Sequence, residues 1–229
     1  MKALHYLTLV FLIFISLNVF AIYEFESIEI NDFNFLQQAQ NECVPTSFLY
    51  MMKFGNEKMK EVYQSLPSDN DRQKLNDILD LGMNSERNNI GPLFNSSGTD
   101  RVSFQKWMDA LTSENGHPQP LYKTMLANRN DDETEPGHYL RRIHALILAS
   151  LQEEAPVMAG IELSTSDHKE RDLIYELSHA VVIVGIQQSL SSSEMGFAIW
   201  YLDPTQGEIF SGYIYEELNQ PLDARIFSS

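Results

Sequence analysis

Two apolar runs separated by a short polar link do most to restrict how this chain can fold: "SHAVVIVGI" from Ser178, the link "QSLSSSEM", and "GFAIWYLDP" ending at Pro204. The first run is continuous, rich in β-branched residues and without helical period, so it reads as a buried strand. The link reads as a turn, and the pair predicts an antiparallel hairpin. Folding it about Ser191 sets Ala180 opposite Leu202, Gln187 opposite Met195 and His179 opposite Asp203. Directly opposed residues project from one face of a sheet and reach each other, whereas a slip of one residue would separate them. A lone histidine at a strand start is usually structural. A carboxylate facing it at the neighbouring strand's end is also the geometry that orients an imidazole for proton transfer.

The partner such a histidine would need lies in "QQAQNECVPTSFLYMMKFG", residues 37 to 55, which holds the only cysteine of the chain, Cys43. The apolar positions Phe48, Leu49 and Met52 recur at helical spacing, Pro45 suits a first helical turn, and Gly55 is a natural stop. Cys43 is thus expected at the N-terminus of a buried helix, where the macrodipole and unpaired amides favour a thiolate. Gln37, six residues upstream, can add a side-chain donor to an oxyanion hole. The alternative is a buried thiol acting as a small hydrophobe. A disulfide role is closed to a lone cysteine.

The lone thiol matters more because the chain carries an export signature. In "MKALHYLTLVFLIFISLNVFA", Lys2 forms a positive n-region, Leu7 to Phe20 an apolar h-region, and Val19 and Ala21 the small-residue pattern read by a signal peptidase. A transmembrane anchor is the alternative, but the apolar core is short and lacks a basic flank. No lipobox-type cysteine stands at the junction. Cleavage after Ala21 leaves residues 22–229 as one domain beginning at Ile22, with no evident repeat or further span and no inhibitory pro-segment before Gln37. Exported chains commonly use cysteines in pairs, and this one cannot.

Gln37, five residues, Cys43 and then Pro45-Thr46-Ser47 resembles the active-site segment of papain-like cysteine peptidases, most like the bacterial C39-like branch. "SHAVVIVG" and "YLDPTQGE" resemble the His-strand and Asp-Pro segments of that group, and "EEAPVMAGIEL" its preceding strand. The order Cys, His, Asp matches as well. The resemblance implies a papain-like α+β fold and a peptidase in which Cys43 is nucleophile, His179 base and acid, Asp203 the ring's orienting group and Gln37 the oxyanion donor. Two residues depart from the pattern. Val44 stands where glycine is common, and Glu42 places a negative charge beside the thiol, which opposes ionisation unless it points to solvent.

Other histidines read as structural or solvated. His117 and His168 lie in Gly/Pro-rich and charged loops, and His138 and His144 belong to an amphipathic helix in "HYLRRIHALILASLQEE". Further helices are expected in "NDRQKLNDILDLG" and "VSFQKWMDALTS", and strands over Val157–Leu163, Ala180–Ile186, Phe197–Leu202 and Glu208–Tyr213. The stretch between about Asn56 and Glu135 carries no recognisable motif. The whole is α+β, a helical half packed on an antiparallel sheet with the cleft between them. A net charge of −16 argues against nucleic acid or anionic membrane as a partner; a peptide or protein substrate is what the resemblance implies. No cofactor is implied, and no metal, since the acids and histidines lack ligand spacing. Acyl transfer to an amine on the same residues, or a binding protein that has lost turnover, are the competing functions.

Overall fold

The structure is a computed structural model that describes residues 24–39, 42–83, 137–162, 178–191, 194, 196–215 and 225–228. Residues 1–21 and "VSFQKWMDALTS" lie outside the described residues, as do His117 and His168.

The expected hairpin is the centre of the sheet. Strands β1 (Phe25–Ser27), β2 (Val157–Glu162), β3 (Ser178–Gln187), β4 (Gly196–Asp203), β5 (Glu208–Tyr215) and β6 (Arg225–Ser228) form one sheet among the described residues. All neighbours run antiparallel. β1 and β2 share one edge of β3, taking its last and first residues respectively, and β4, β5 and β6 follow on the other side. Val181 to Val184 and Ile186 are at most 3 % exposed, which explains why this strand is apolar without alternation.

The hairpin register differs from the symmetric fold about Ser191. Val182 pairs with Leu202 and Ile183 with Tyr201, but Gly185 pairs with Trp200 and Ile186 with Ile199. Val184 is therefore an extra residue on β3, a β-bulge. Gly185 follows it because a Cβ there would stand 2.8 Å from the Trp200 ring. On the turn side of the bulge the pairing is displaced by three residues from the expected one, and on the His179 side by two. An even displacement returns side chains to the same face, whereas an odd one reverses them. His179 thus stays on the face expected of it, although it no longer stands directly opposite Asp203.

Four helices cover the described remainder: α1 (Cys43–Phe54), α2 (Glu57–Ser65), α3 (Asp71–Met83) and α4 (His138–Gln152). α1 is buried on almost all sides. Tyr50, Met51 and Phe54 join the sheet core with Val181–Ile186, Phe197, Ile199 and residues of α4, while Phe48, Leu49 and Met52 join Val62, Leu66, Leu75 and Ile78 of the helical half. A helix apolar all round has no solvent face to spare, so α1 is the fixed plate between the two halves. Truncating Leu49, which is fully buried, would cost about 2–5 kcal/mol.

α1 ends at Gly55 as expected, but in extended conformation. Glycine is needed for space, since a Cβ would meet the Met51 carbonyl at 2.5 Å. α2, absent from the sequence expectations, is capped by Asn56, whose side chain accepts the Met59 N–H. α3 is seated on α1 by Lys53, which bridges Asp32 at 2.7 Å and Asp71 at 2.8 Å.

Candidate active site

Cys43 is the first residue of α1, half-buried and with a free thiol. Glu42, in the cap position, makes no side-chain bond to the helix end, so the first-turn amides keep their donors. One turn on, at the spacing that shares a helix face, the Ser47 hydroxyl donates to the Ala180 carbonyl at 3.1 Å in a buried contact. That bond fastens the start of α1 to the start of β3. It brings His179, the residue before Ala180, against the thiol.

His179 is 6 % exposed and places Nε2 2.8 Å from Asp203 Oδ1. Its other ring nitrogen remains for Cys43, with which it hydrogen-bonds. The displaced register has a visible consequence. The position opposite His179 passes beyond β4 to Thr205, whose hydroxyl lies 3.3 Å from the same Nε2, and Asp203 reaches the ring diagonally. Thr205 also donates its backbone N–H to Asp203 Oδ1 at 2.7 Å, fixing the carboxylate that fixes the ring.

The turn after Asp203 holds Gln37 as well. The Gln38 N–H donates to the Pro204 carbonyl at 2.9 Å, and Gln37 Nε2 donates to the Gln206 carbonyl at 2.9 Å. Gly207 closes the turn with φ +66, and a Cβ there would be 3.0 Å from Gln37 Cγ. An amide nitrogen carries two hydrogens, so Gln37 retains one for another acceptor. The segment is held from the helical side too. The Tyr50 hydroxyl donates to the Leu36 carbonyl, and Arg72 Nη2 donates to the Gln37 carbonyl at 2.6 Å.

Glu42 does not aim its charge at the thiol. Its Oε2 accepts the Ala39 N–H at 2.7 Å and pairs with Arg72 Nη1 at 2.8 Å. Val44 is half-buried, and its backbone N–H faces the Cys43 sulfur.

These contacts set the electrostatics. Burial by itself pushes the Cys43 thiol up, but the His179 hydrogen bond, the Ala180 and Val44 amides and the His179 charge outweigh it and leave it below its ordinary value. Burial by itself pulls His179 down, yet its bonds to Asp203 and Cys43 and their charges push it up to about 9. Burial likewise raises the Asp203 carboxyl, and the His179 and Thr205 hydrogen bonds bring it below the usual carboxylate range. A thiol moved down beside an imidazole moved up favours the thiolate–imidazolium pair near neutral pH. Such a pair can attack an electrophilic carbon and return a proton to a leaving group.

Of the residues singled out in the sequence, Cys43, His179 and Asp203 form one contact chain, and Gln37 is tied to the same turn as Asp203. His138 is exposed at the start of α4, and His144 is buried with Nε2 2.7 Å from the Gln187 carbonyl. Ser47 and Thr205 stand in the quoted motifs without a role assigned to them, and Arg72 was not singled out. Thr205 carried a usable signal, because a threonine two residues after an aspartate suits an Asx-type turn; Arg72 carried none. No known protein family, characterised protein or solved structure matches the chain.

Proposed function

We propose that the chain is an exported cysteine peptidase of papain-like, C39-like type, acting on peptide or protein substrates without a cofactor. The observation that carries this reading is the continuous bond from Asp203 Oδ1 through the His179 ring to the Cys43 sulfur at a helix N-terminus. In the reaction, the Cys43 thiolate attacks the scissile carbonyl carbon, and its electron pair becomes the new C–S bond while the carbonyl π pair moves to oxygen. The Cys43 N–H and the second Gln37 N–H receive that oxyanion. The His179 imidazolium gives its proton to the departing amine as the C–N bond breaks, leaving a thioester. Neutral His179 then takes a proton from water, the hydroxide adds to the thioester, and the thiolate leaves as the acid forms. Asp203 holds one ring tautomer throughout and stabilises the imidazolium.

The test is turnover by the purified chain on a mixed peptide library, wild type beside Cys43→Ala. The variant should lose cleavage while keeping its thermal midpoint, since the thiol makes no disulfide. Equal cleavage by both removes Cys43 from the chemistry. If neither cleaves and wild type ignores thiol-reactive probes, the chain is a binding protein on this scaffold.

A further inference from the structure

Arg72 takes no part in the chemistry just described, yet it touches two parts of the site at once. It lies in the first turn of α3, next to Asp71, which Lys53 holds with both side chains at most 17 % exposed. From that seated helix end, one guanidinium nitrogen reaches the Glu42 carboxylate at 2.8 Å and the other the Gln37 carbonyl at 2.6 Å. The residue on one contact carries the second oxyanion donor, and the residue on the other precedes the nucleophile and its N–H. A planar guanidinium offers two nitrogens in a fixed fork and so sets the relative orientation of its two acceptors, which the single nitrogen of an ammonium on a flexible stem does not impose.

We propose that Arg72 is a positioning residue that holds the Gln37 and Glu42 backbones in place, so that both oxyanion donors face one point, and that neutralises the Glu42 charge beside the thiol; this rests on the thiol chemistry proposed above. The charged group that acts directly on Cys43 is His179 from β3; Asp203 on β4 holds that ring, and Glu42, next to Cys43 in the chain, is paired with Arg72 from α3. With Arg72 gone, Glu42 stands unpaired and opposes the thiolate. The loss of fold stability should stay modest, because Arg72 is 40 % exposed and water can still reach the 18 % exposed Glu42 side chain that it pairs with.

The experiment follows alkylation of Cys43 by iodoacetamide against pH in the full chain, with kcat, KM and thermal midpoint measured alongside. Wild type should show an acid limb well below that of a free thiol. In Arg72→Met the limb should move up by about half a unit to one unit, with the thermal midpoint changed by about 4 °C or less. Adding Glu42→Gln, which keeps an acceptor for the Ala39 N–H, should bring the limb back. Arg72→Lys keeps the charge without the fork. It should leave the limb near wild type yet lower kcat about ten- to a hundredfold at similar KM, and it reads positioning even if the Met variant folds poorly. An unmoved limb and unchanged kcat in both variants, with a normal wild type, overturn the role of Arg72 alone. A wild type that titrates as an ordinary thiol overturns this role together with the thiol chemistry.

Discussion

Replacing Asp203 with Asn keeps the shape of its contact with His179 and removes the charge. In the wild type, burial opposes the imidazolium, and the bonds to Asp203 and Cys43 overcome it, lifting the ring from 6.5 to about 9. At 1.36 kcal/mol per unit, that difference is about 3 kcal/mol in favour of the charged ring. Asp203 supplies the larger bond of the two, so its loss should take back much of that rise. At pH 8 a ring of pKa about 9 is about nine-tenths protonated, and each unit by which the variant ring falls cuts its protonated-to-neutral ratio about tenfold. The ion pair should therefore thin, and the alkaline limb of turnover should move down. Because the folded value is raised, protonated His179 stabilises the fold fully below pH 6.5, and the contribution fades as pH rises through about 9. The wild-type thermal midpoint should fall across that window more than the variant's does. Ring-proton NMR titration of both proteins, beside thermal scans on the same buffers, measures this directly. Because the thiol titrates with the ring, the midpoints belong to the pair. Coincident titrations of the two proteins would refute Asp203 as the group that retains the ring's proton.

Gln37→Ala should lower kcat by about 10²–10³-fold if its amide is the oxyanion donor of the proposed mechanism, with little change in stability because the residue is exposed; an unchanged kcat would mean that the amide serves only Gln206. Gly207→Ala should destabilise by about 1–2 kcal/mol in urea unfolding, because φ +66 suits glycine. It should also lower kcat by displacing Gln37, so a variant that loses stability and keeps full turnover separates the turn from the site. Ser47→Ala removes a buried donor to the Ala180 carbonyl and should cost about 1–3 kcal/mol while slowing thiol alkylation, an effect absent if the bond does not seat Cys43 against His179. Mass spectrometry of native protein should find Ile22 at the N-terminus outside the cytoplasm; an intact Met1 or Lys2 terminus in the cytosol contradicts export.

Local patterns in the chain were enough to determine which segments pair and which face each presents. A continuous β-branched run cannot satisfy its backbone and its apolar surface except as an inner strand, so β3 and β4 were legible, as was α1 with Cys43 at its head. The face shared by His179 and Asp203 was legible because it depends on parity, and parity survives a displacement of two residues. The register itself was decided by the tertiary structure. The bulge at Val184 arises where Gly185 lets β3 approach the Trp200 ring, a contact between residues far apart in the chain. The turn offsets the pairing by three residues and the bulge takes one back, so that Thr205, rather than Asp203, stands opposite the histidine. β1 and β6 exist only as partners for sheet edges, being three and four residues long, too short for any periodicity to reveal. Arg72 belongs to the same class. Nothing near it in the sequence distinguishes it from another solvated arginine, and its meeting with Glu42 and Gln37 depends on how α3 is seated by Lys53 and Asp71. Contacts made within a turn or along a strand were determined by neighbouring residues, whereas these were decided only when separate elements packed together.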